Sequence, residues 1–560
     1  MLSPTQDTVR RTRAPLPAGE LDVAIIGAGP GGLMAGAHLA RAGLRVALFD
    51  GHYVAGGCMT MFERGRSDAR YCFDVGLHYV GDCAADGKVP QLLESVGAGV
   101  EWAPLDPDGF DTLVFPDLEF RIPVGHEAFR ARLLEHFPEE KRGIDRYLRL
   151  LLEVDAMQRR TYRGGALGML RAVLLHGRLV ALYRDATIGE FLDSVTRNPL
   201  LRGVLLGQSG DYGLPPSRVS AMLHCGLVNH YLRGAYYPVG GGQAPADRLT
   251  GVIEAAGGSI HLRRPVEQIV IRDGRAVGVR LEATAKEPAH EIAARTVLSN
   301  ADLKRTLLEL LPRADLPEPW RARAESFEMA GAIFMTFLGV EGDLADLGMR
   351  NANYWCFDSP DMEAFYREAM VDGRVAPRGC YITSASMKDR GTPGHAPAGH
   401  MGLEIMALVP GRAEAWHSSD RAAVDGSYRK DGPYLELKQR VEAELIERAE
   451  ALLPGVKERI RFCESATPLS QTRYTRASDG TGYGLAATPE QFLSRRPGYR
   501  GPLPGLFFCG ANTRAGHGIF GALESGAQAA KRVAAELGAE LSASDSGDPP
   551  LAARSSGPVA

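Results

Sequence analysis

Leu21-Asp22-Val23-Ala24-Ile25-Ile26 runs straight into Gly27-Ala28-Gly29-Pro30-Gly31-Gly32, and Arg45-Val46-Ala47-Leu48-Phe49 ends at Asp50. The first run is short and nearly all apolar, as expected of a parallel strand buried on both faces. A helical stretch from about Gly32 to Arg41 follows, and the second apolar run reads as another strand. Strand, glycine turn, helix and strand within about 30 residues make the minimal dinucleotide-binding unit.

Each glycine of Gly27-x-Gly29-x-x-Gly32 has its own task. Gly27 permits the tight turn out of the strand, Gly29 lets backbone approach a pyrophosphate, and Gly32 lets helix and strand pack closely. The helix N-terminus offers free N–H groups and a positive dipole end to the phosphates. Asp50 can accept hydrogen bonds from a pair of ribose hydroxyls. A glycine triplet alone is weak; strand, helix and acidic residue in register around it make it specific. Gly56-Gly57, just beyond Asp50, let the chain run against an extended flavin nucleotide. A simple NAD site does not need them, so the expected cofactor is FAD.

The remaining composition is that of a soluble globular protein, with 560 residues and a net charge of −4. No basic excess is present to neutralise phosphates, so nucleic acid is not an expected partner. The 66 glycines show no collagen-like period and read as tight turns and close backbone approaches. The eight cysteines, Cys58, Cys72, Cys83, Cys225, Cys356, Cys380, Cys463 and Cys509, form no CxxC pair. No metal site is expected from them, and scattered thiols fit a reducing, cytoplasmic compartment. Residues 1–20 carry Arg10, Arg11 and Arg13 with no apolar core behind them, which is a flexible arm and not a secretory signal. No run has the length and apolarity of a membrane-spanning helix.

Patterning divides the chain further. Residues 21–125 form the first part of the dinucleotide domain, 126–235 a mostly helical substrate-facing or membrane-facing region, and 236–305 a second dinucleotide part. Strands broken by loops over 330–410 and a charged amphipathic helix over Pro433–Leu453 place a substrate domain at 306–465. Residues 466–538, with a strand at Leu506–Cys509 and a helix at Gly518–Leu537, form the third dinucleotide part. The Ser-, Pro-, Gly- and Ala-rich 539–560 is expected to be a disordered tail.

With Gly56-Gly57 and Phe73-Asp74-Val75-Gly76-Leu77-His78-Tyr79 the chain resembles the carotenoid and retinoid oxidoreductases. That family holds phytoene desaturases, carotenoid cis–trans isomerases and retinol saturases; the Phe-Asp-x-Gly-Leu-His-Tyr wording is nearest the last. Further matches are Tyr236-Tyr237-Pro238-Val239-Gly240-Gly241-Gly242, the Val266–Val279 hairpin, Val297-Leu298-Ser299-Asn300-Ala301, and Leu506–Ala511 with Gly516-His517-Gly518-Ile519. Ala511 stands where some branches carry Asp, so the branch is mixed. The resemblance implies an α/β fold: a Rossmann-type, glutathione reductase-like FAD domain assembled from separated stretches and interleaved with an α+β substrate domain. It implies FAD contacts at Gly27, Gly29, Gly32, Asp50, Gly56, Gly57, Val266 and Gly510, with Gly518 and Ile519 opening a helix aimed at the isoalloxazine. A helix N-terminus there favours the negative charge of reduced flavin.

Two histidines are candidate catalytic groups. His78 carries a proton or is a structural histidine; His517, at the start of the last helix, carries a proton or only caps and positions. His224 and His230 flank a helix six residues apart, do not share a face, and read as core or surface residues. Cys509 reads as a small core residue. The apolar stretch studded with Arg159, Arg160, Arg163, Arg171 and Arg178 is a peripheral membrane surface or an ordinary amphipathic helix. No second glycine motif offers a nicotinamide domain, so a nicotinamide would visit the flavin directly; otherwise the electron partner is a quinone, oxygen or a protein.

The expected function is therefore FAD-dependent redox chemistry on a lipophilic polyene: saturation, desaturation or isomerisation. One alternative is a flavin amine oxidase, which needs an aromatic cage and a Lys–water pair that the sequence does not locate. Another is a non-enzymatic prenyl-binding escort, which the intact glycine motif and Asp50 argue against.

Overall fold

The computed structural model describes residues 15–541 apart from 67–68, 284–287 and 371–374; of 66, 159–176 and 370 it describes the backbone only. Most of the arm, the tail beyond 541 and the side chains of Arg159, Arg160, Arg163 and Arg171 thus lie outside the described residues. Arg178 is described and exposed, at the start of the short helix Arg178–Tyr183. Among the described residues, no helix is long and apolar enough to cross a membrane.

The opening run folds as expected. Leu21–Ile26 is a strand, Pro30–Arg41 a helix and Val46–Asp50 the next strand. Pro30 begins the helix because its missing N–H is one the first turn cannot use anyway. The strand lies between two parallel neighbours, with Ile25 opposite Leu48 on one side and Leu298 on the other. The sheet then collects strands far apart in sequence: Ser259–Leu262 beside Val46–Asp50, and His290–Ser299 beside the first strand. His290–Ser299 is long enough to serve two partners on its outer side. Its first half takes the antiparallel hairpin of Val266–Arg272 and Arg275–Leu281, and its second half takes Leu506–Phe508 in parallel. The closing helix Gly518–Leu537 lies against Pro30–Arg41 at a distance that glycine alone permits: a Cβ on Gly526 would sit 2.2 Å from the Gly31 carbonyl oxygen.

A second seven-stranded sheet runs Ile460–Ala466, Ala332–Glu341, His400–Val409, Gly379–Thr383, Asn353–Phe357, Asp111–Phe115 and Leu118–Ile122. Residues 111–122, grouped by sequence with the first dinucleotide part, thus belong to the second sheet. Asp111–Phe115 pairs in parallel with Asn353–Phe357, a partner that local patterning cannot reveal. Side chains alternate across this sheet. Phe334, Leu338, Ile382, Leu403 and Ile405 face one side, where the helix Gly432–Leu452 covers them with Leu437, Val441 and Leu445. Ile333, Met335, Phe337, Tyr381 and Met406 face the other side and line a large cavity. Helices between His126 and Leu232 roof that cavity, packed by Tyr147, Leu151, Phe191 and Val228.

Candidate functional site

The cavity, about 1100 Å³, runs from the glycine turn to the open face of the second sheet. Gly27, Gly29, Asp50, Gly57, Val266, Gly510, Gly518 and Ile519 all line it, as do His78 and His517. Gly32 and Gly56 do not reach it. They shape the wall from behind: a Cβ on Gly32 would lie 2.1 Å from the Gly27 carbonyl oxygen, and the Gly56 N–H donates to the Ala28 carbonyl at 2.7 Å.

This end suits a dinucleotide. Gly27 holds φ at +92°, which only glycine adopts freely. Gly29 and Gly57 face each other, so a Cβ on Gly57 would come within 3.1 Å of the Gly29 Cα. The result is a bare backbone cradle. Neither Pro30–Arg41 nor Gly518–Leu537 has a side-chain cap at its N-terminus, and both start at the cavity wall. Their first N–H groups are thus available to phosphate or flavin oxygens. Asp50 accepts the Ala28 and His52 N–H groups, each at 2.7 Å, which fixes its carboxylate at the end of the strand. A carboxylate accepts about four hydrogen bonds, so capacity remains for ribose hydroxyls. Residues drawn from all three sequence stretches therefore fit FAD.

Asn300, within the Val297–Ala301 motif, has a role that the motif alone does not reveal. It sits at the hub of the cradle: its side chain is the nearest contact of Cβ atoms built on Gly29, Gly31 and Gly510. Its own N–H donates to Ile26. Arg496 was missed altogether. It is fully buried, donates to the Gly516 carbonyl at 2.7 Å and to the Leu485 carbonyl, and so fixes the loop before the closing helix. Burial brings its guanidinium down to about 10, still charged at neutral pH. Burial, with Arg496 adding to it, brings His517 down to about 4. The neutral His517 ring lies 3.0 Å, through Nε2, from the Asp211 backbone carbonyl and stacks on Tyr483.

Two polar networks stand behind the apolar end. In the first, Asp74 accepts the Tyr237 hydroxyl at 2.6 Å and the Gly242 N–H at 3.0 Å, while its own N–H donates to Glu404 at 2.8 Å. Glu404 in turn lies 2.9 Å from His78 Nδ1. Burial, then the neighbouring Glu404, pushes Asp74 up to about 6. Donor atoms of Asp74, His78 and Glu404 gather within 4.8 Å of one another, but these contacts already engage all three residues. Lys388, also buried, donates to the His78 carbonyl and to Thr383 Oγ1 at 2.7 Å. Burial lowers it to about 8. In the second network, Asp111 accepts from Gln208 at 2.7 Å, Asn353 at 3.0 Å and Tyr79 at 3.1 Å. The same Tyr79 hydroxyl lies 2.7 Å from Asp211 Oδ2, so its one proton serves the pair of carboxyls.

The other sequence candidates find ordinary places. His224 and His230 lie within the helix Ala221–Leu232 rather than flanking it. His224 sits between the Tyr147 and Tyr212 hydroxyls, and His230 accepts the Gly81 N–H at 2.9 Å. Cys509 is buried with its thiol 3.5 Å from Asn300 Oδ1. All eight cysteines are free.

Comparison with known proteins agrees with this geometry. The flavin-containing amine oxidoreductase profile matches residues 30–534, most of the chain. All-trans-retinol 13,14-reductase of Danio rerio is 27% identical over 483 residues, covering 83% of this chain and 77% of that one. Prolycopene isomerase 1 of an Oncidium hybrid is 26% identical, covering 94% and 86%. The fold is shared with cyclohexylamine oxidase of Brevibacterium oxydans, at a TM-score of 0.57 and 15% identity over 93% of this chain and 100% of that one. The chain therefore belongs to the flavin-containing amine oxidoreductases, as an oxidoreductase whose cofactor is FAD.

Proposed function

We propose that this flavoenzyme acts on the C=C or C–C bonds of a lipophilic polyene of retinoid or carotenoid type. The observation that carries this reading is the surface continuing from the FAD cradle: Trp355, Tyr381, Met406, Met335, Phe337 and Leu223, an apolar and aromatic slot. The relatives' names, a retinol reductase and a prolycopene isomerase, support the same substrate class. When bound, FAD supplies two-electron exchange with a substrate carbon. The chain's own residues place the substrate and exclude water from the reacting carbons.

In this reading Gly27, Gly29, Asp50, Gly57, Val266, Gly510, Gly518 and Ile519 contact FAD, and Gly32 and Gly56 shape its cradle. His78, braced by Glu404, faces the slot, while His517 positions the turn that carries Asp211. The amine oxidase alternative is less well supported, because Lys388 gives two of its three N–H donors to His78 and Thr383 and stands off the cavity wall. The exposed Leu152 and Leu182 on the helical roof support peripheral contact with a membrane, from which such a substrate would come.

Anaerobic incubation of oxidised and reduced holoenzyme with retinoids, carotenoids and aliphatic amines tests the reading. Polyene products changed by two hydrogens, or changed in geometry at constant mass, are expected. Turnover of amines alone contradicts it.

A further inference from the structure

We propose that the Asp211 carboxyl is the proton donor that completes saturation of the substrate double bond. The proposal rests on the polyene reading above and adds the group that the redox partner alone cannot supply. Saturation forms two C–H bonds from one C=C bond. One takes a hydride from reduced FAD, and the other takes a proton. The substrate is reduced by two electrons at the expense of FAD, and the donor is left as a carboxylate that solvent reprotonates between turnovers.

Asp211 ends the short turn Ser209–Asp211 and lies on the cavity wall. The Tyr79 hydroxyl, with its single proton, lies 2.7 Å from Oδ2 and 3.1 Å from Asp111, so it links the two carboxyls and holds Asp211 in place. The Tyr231 hydroxyl reaches the same carboxyl, and the Tyr79 and Tyr231 rings stack at 4.2 Å, which fixes both. His517 holds the Asp211 backbone carbonyl, tying this turn to the start of the closing helix at the FAD cradle. A carboxyl is thus braced on two sides and presented to the reacting region.

The surroundings keep the proton on it. Tyr366, Tyr381 and Tyr483 also face Asp211, and each is neutral and held well above its usual range by burial. Asp111, joined to it through Tyr79, is a second acid. Of the buried cations, Lys388 is drawn to Asp74, Glu404 and Asp111, and Arg496 bears on His517 and holds the Gly516 and Leu485 carbonyls, not the Asp211 carboxyl. Among the described residues no cation pairs with Asp211. Burial and the Asp111 charge push it up to about 8, so it is a neutral acid at neutral pH and can both hold and release a proton there.

The test compares wild type with Asp211→Asn as anaerobically reduced holoenzymes given all-trans-retinol and a carotenoid. The variant is expected to load FAD and bind polyene as wild type does. Its saturation rate should fall by about 100-fold, the usual scale of general acid catalysis. The wild-type rate should decline as pH rises through about 8, and the variant should lack that limb. Infrared difference spectra of the substrate-free protein give an independent readout. A protonated carboxyl band is expected at neutral pH, fading near 8 and absent from the variant. An undiminished rate, a persisting alkaline limb, or no such band overturns the assignment of Asp211 while leaving the polyene reading intact. No conversion of any polyene by wild type overturns both.

Discussion

Gly32→Ala is expected to purify colourless. The added Cβ would lie 2.1 Å from the Gly27 carbonyl oxygen and 3.3 Å from Asn300 atoms, and the first of these is backbone that cannot rotate away. Relief requires helix and strand to separate, which opens the turn that presents Gly29 to the pyrophosphate. FAD affinity should fall by at least about 100-fold, equivalent to about 2.8 kcal/mol at 1.4 kcal/mol per tenfold. Flavin absorbance per mole of purified protein, and titration of the apoprotein with FAD, measure it. Gly251→Ala is the control: it lies on an exposed helical face with nothing within 4 Å of the new Cβ. It should load FAD normally and gain a few tenths to about 1 kcal/mol of stability.

Asp74→Ala should be the most destabilising single change near the apolar slot. The carboxylate is wholly buried and ties the Tyr237 strand, the Gly242 turn and, through its own N–H, Glu404 of the second sheet. Its removal strands the Tyr237 hydroxyl and the Gly242 N–H and leaves Lys388 with less counter-charge. Breaking one partner of such a buried network costs about 3–5 kcal/mol. Asp74→Asn keeps the shape and should cost much less. The sign with pH follows from its raised pKa: the stability linked to the Asp74 proton is present below the unfolded value of 3.8 and is lost as pH rises through about 6. Urea unfolding of wild type and Asp74→Asn across that interval should show a smaller pH slope in the variant.

The parts that the sequence made legible were local. A strand, a glycine turn and a helix announce themselves because apolar periodicity and backbone freedom are properties of neighbouring residues; Gly518–Leu537 was located to the residue for the same reason. Motif order across the chain then brought the three cradle stretches together. What stayed hidden depends on partners distant in sequence. Asp111–Phe115 falls in the stretch grouped with the first dinucleotide part, and nothing in it names Asn353–Phe357 as its neighbour. Asp211, Lys388 and Arg496 are charged residue types, which ordinarily stay in water. Only the assembled fold shows Lys388 and Arg496 buried and Asp211 half-buried on the cavity wall, and only then do their altered acidities and fixed hydrogen bonds become functional signals. Asp74 and Asn300 fell inside quoted motifs, yet their roles follow from what they touch across about 170 to 330 positions of chain.

In the proposed reading one continuous cavity holds FAD at its glycine end and an apolar polyene at its aromatic end. A crystal structure of the FAD-loaded protein soaked with all-trans-retinol tests it most directly. The pyrophosphate is expected against Gly29 and Gly57, and the polyene between Tyr381, Trp355 and Met406 with a double bond facing Asp211. FAD seated away from that cradle, or retinol bound outside the slot while an amine occupies it, would rule this arrangement out.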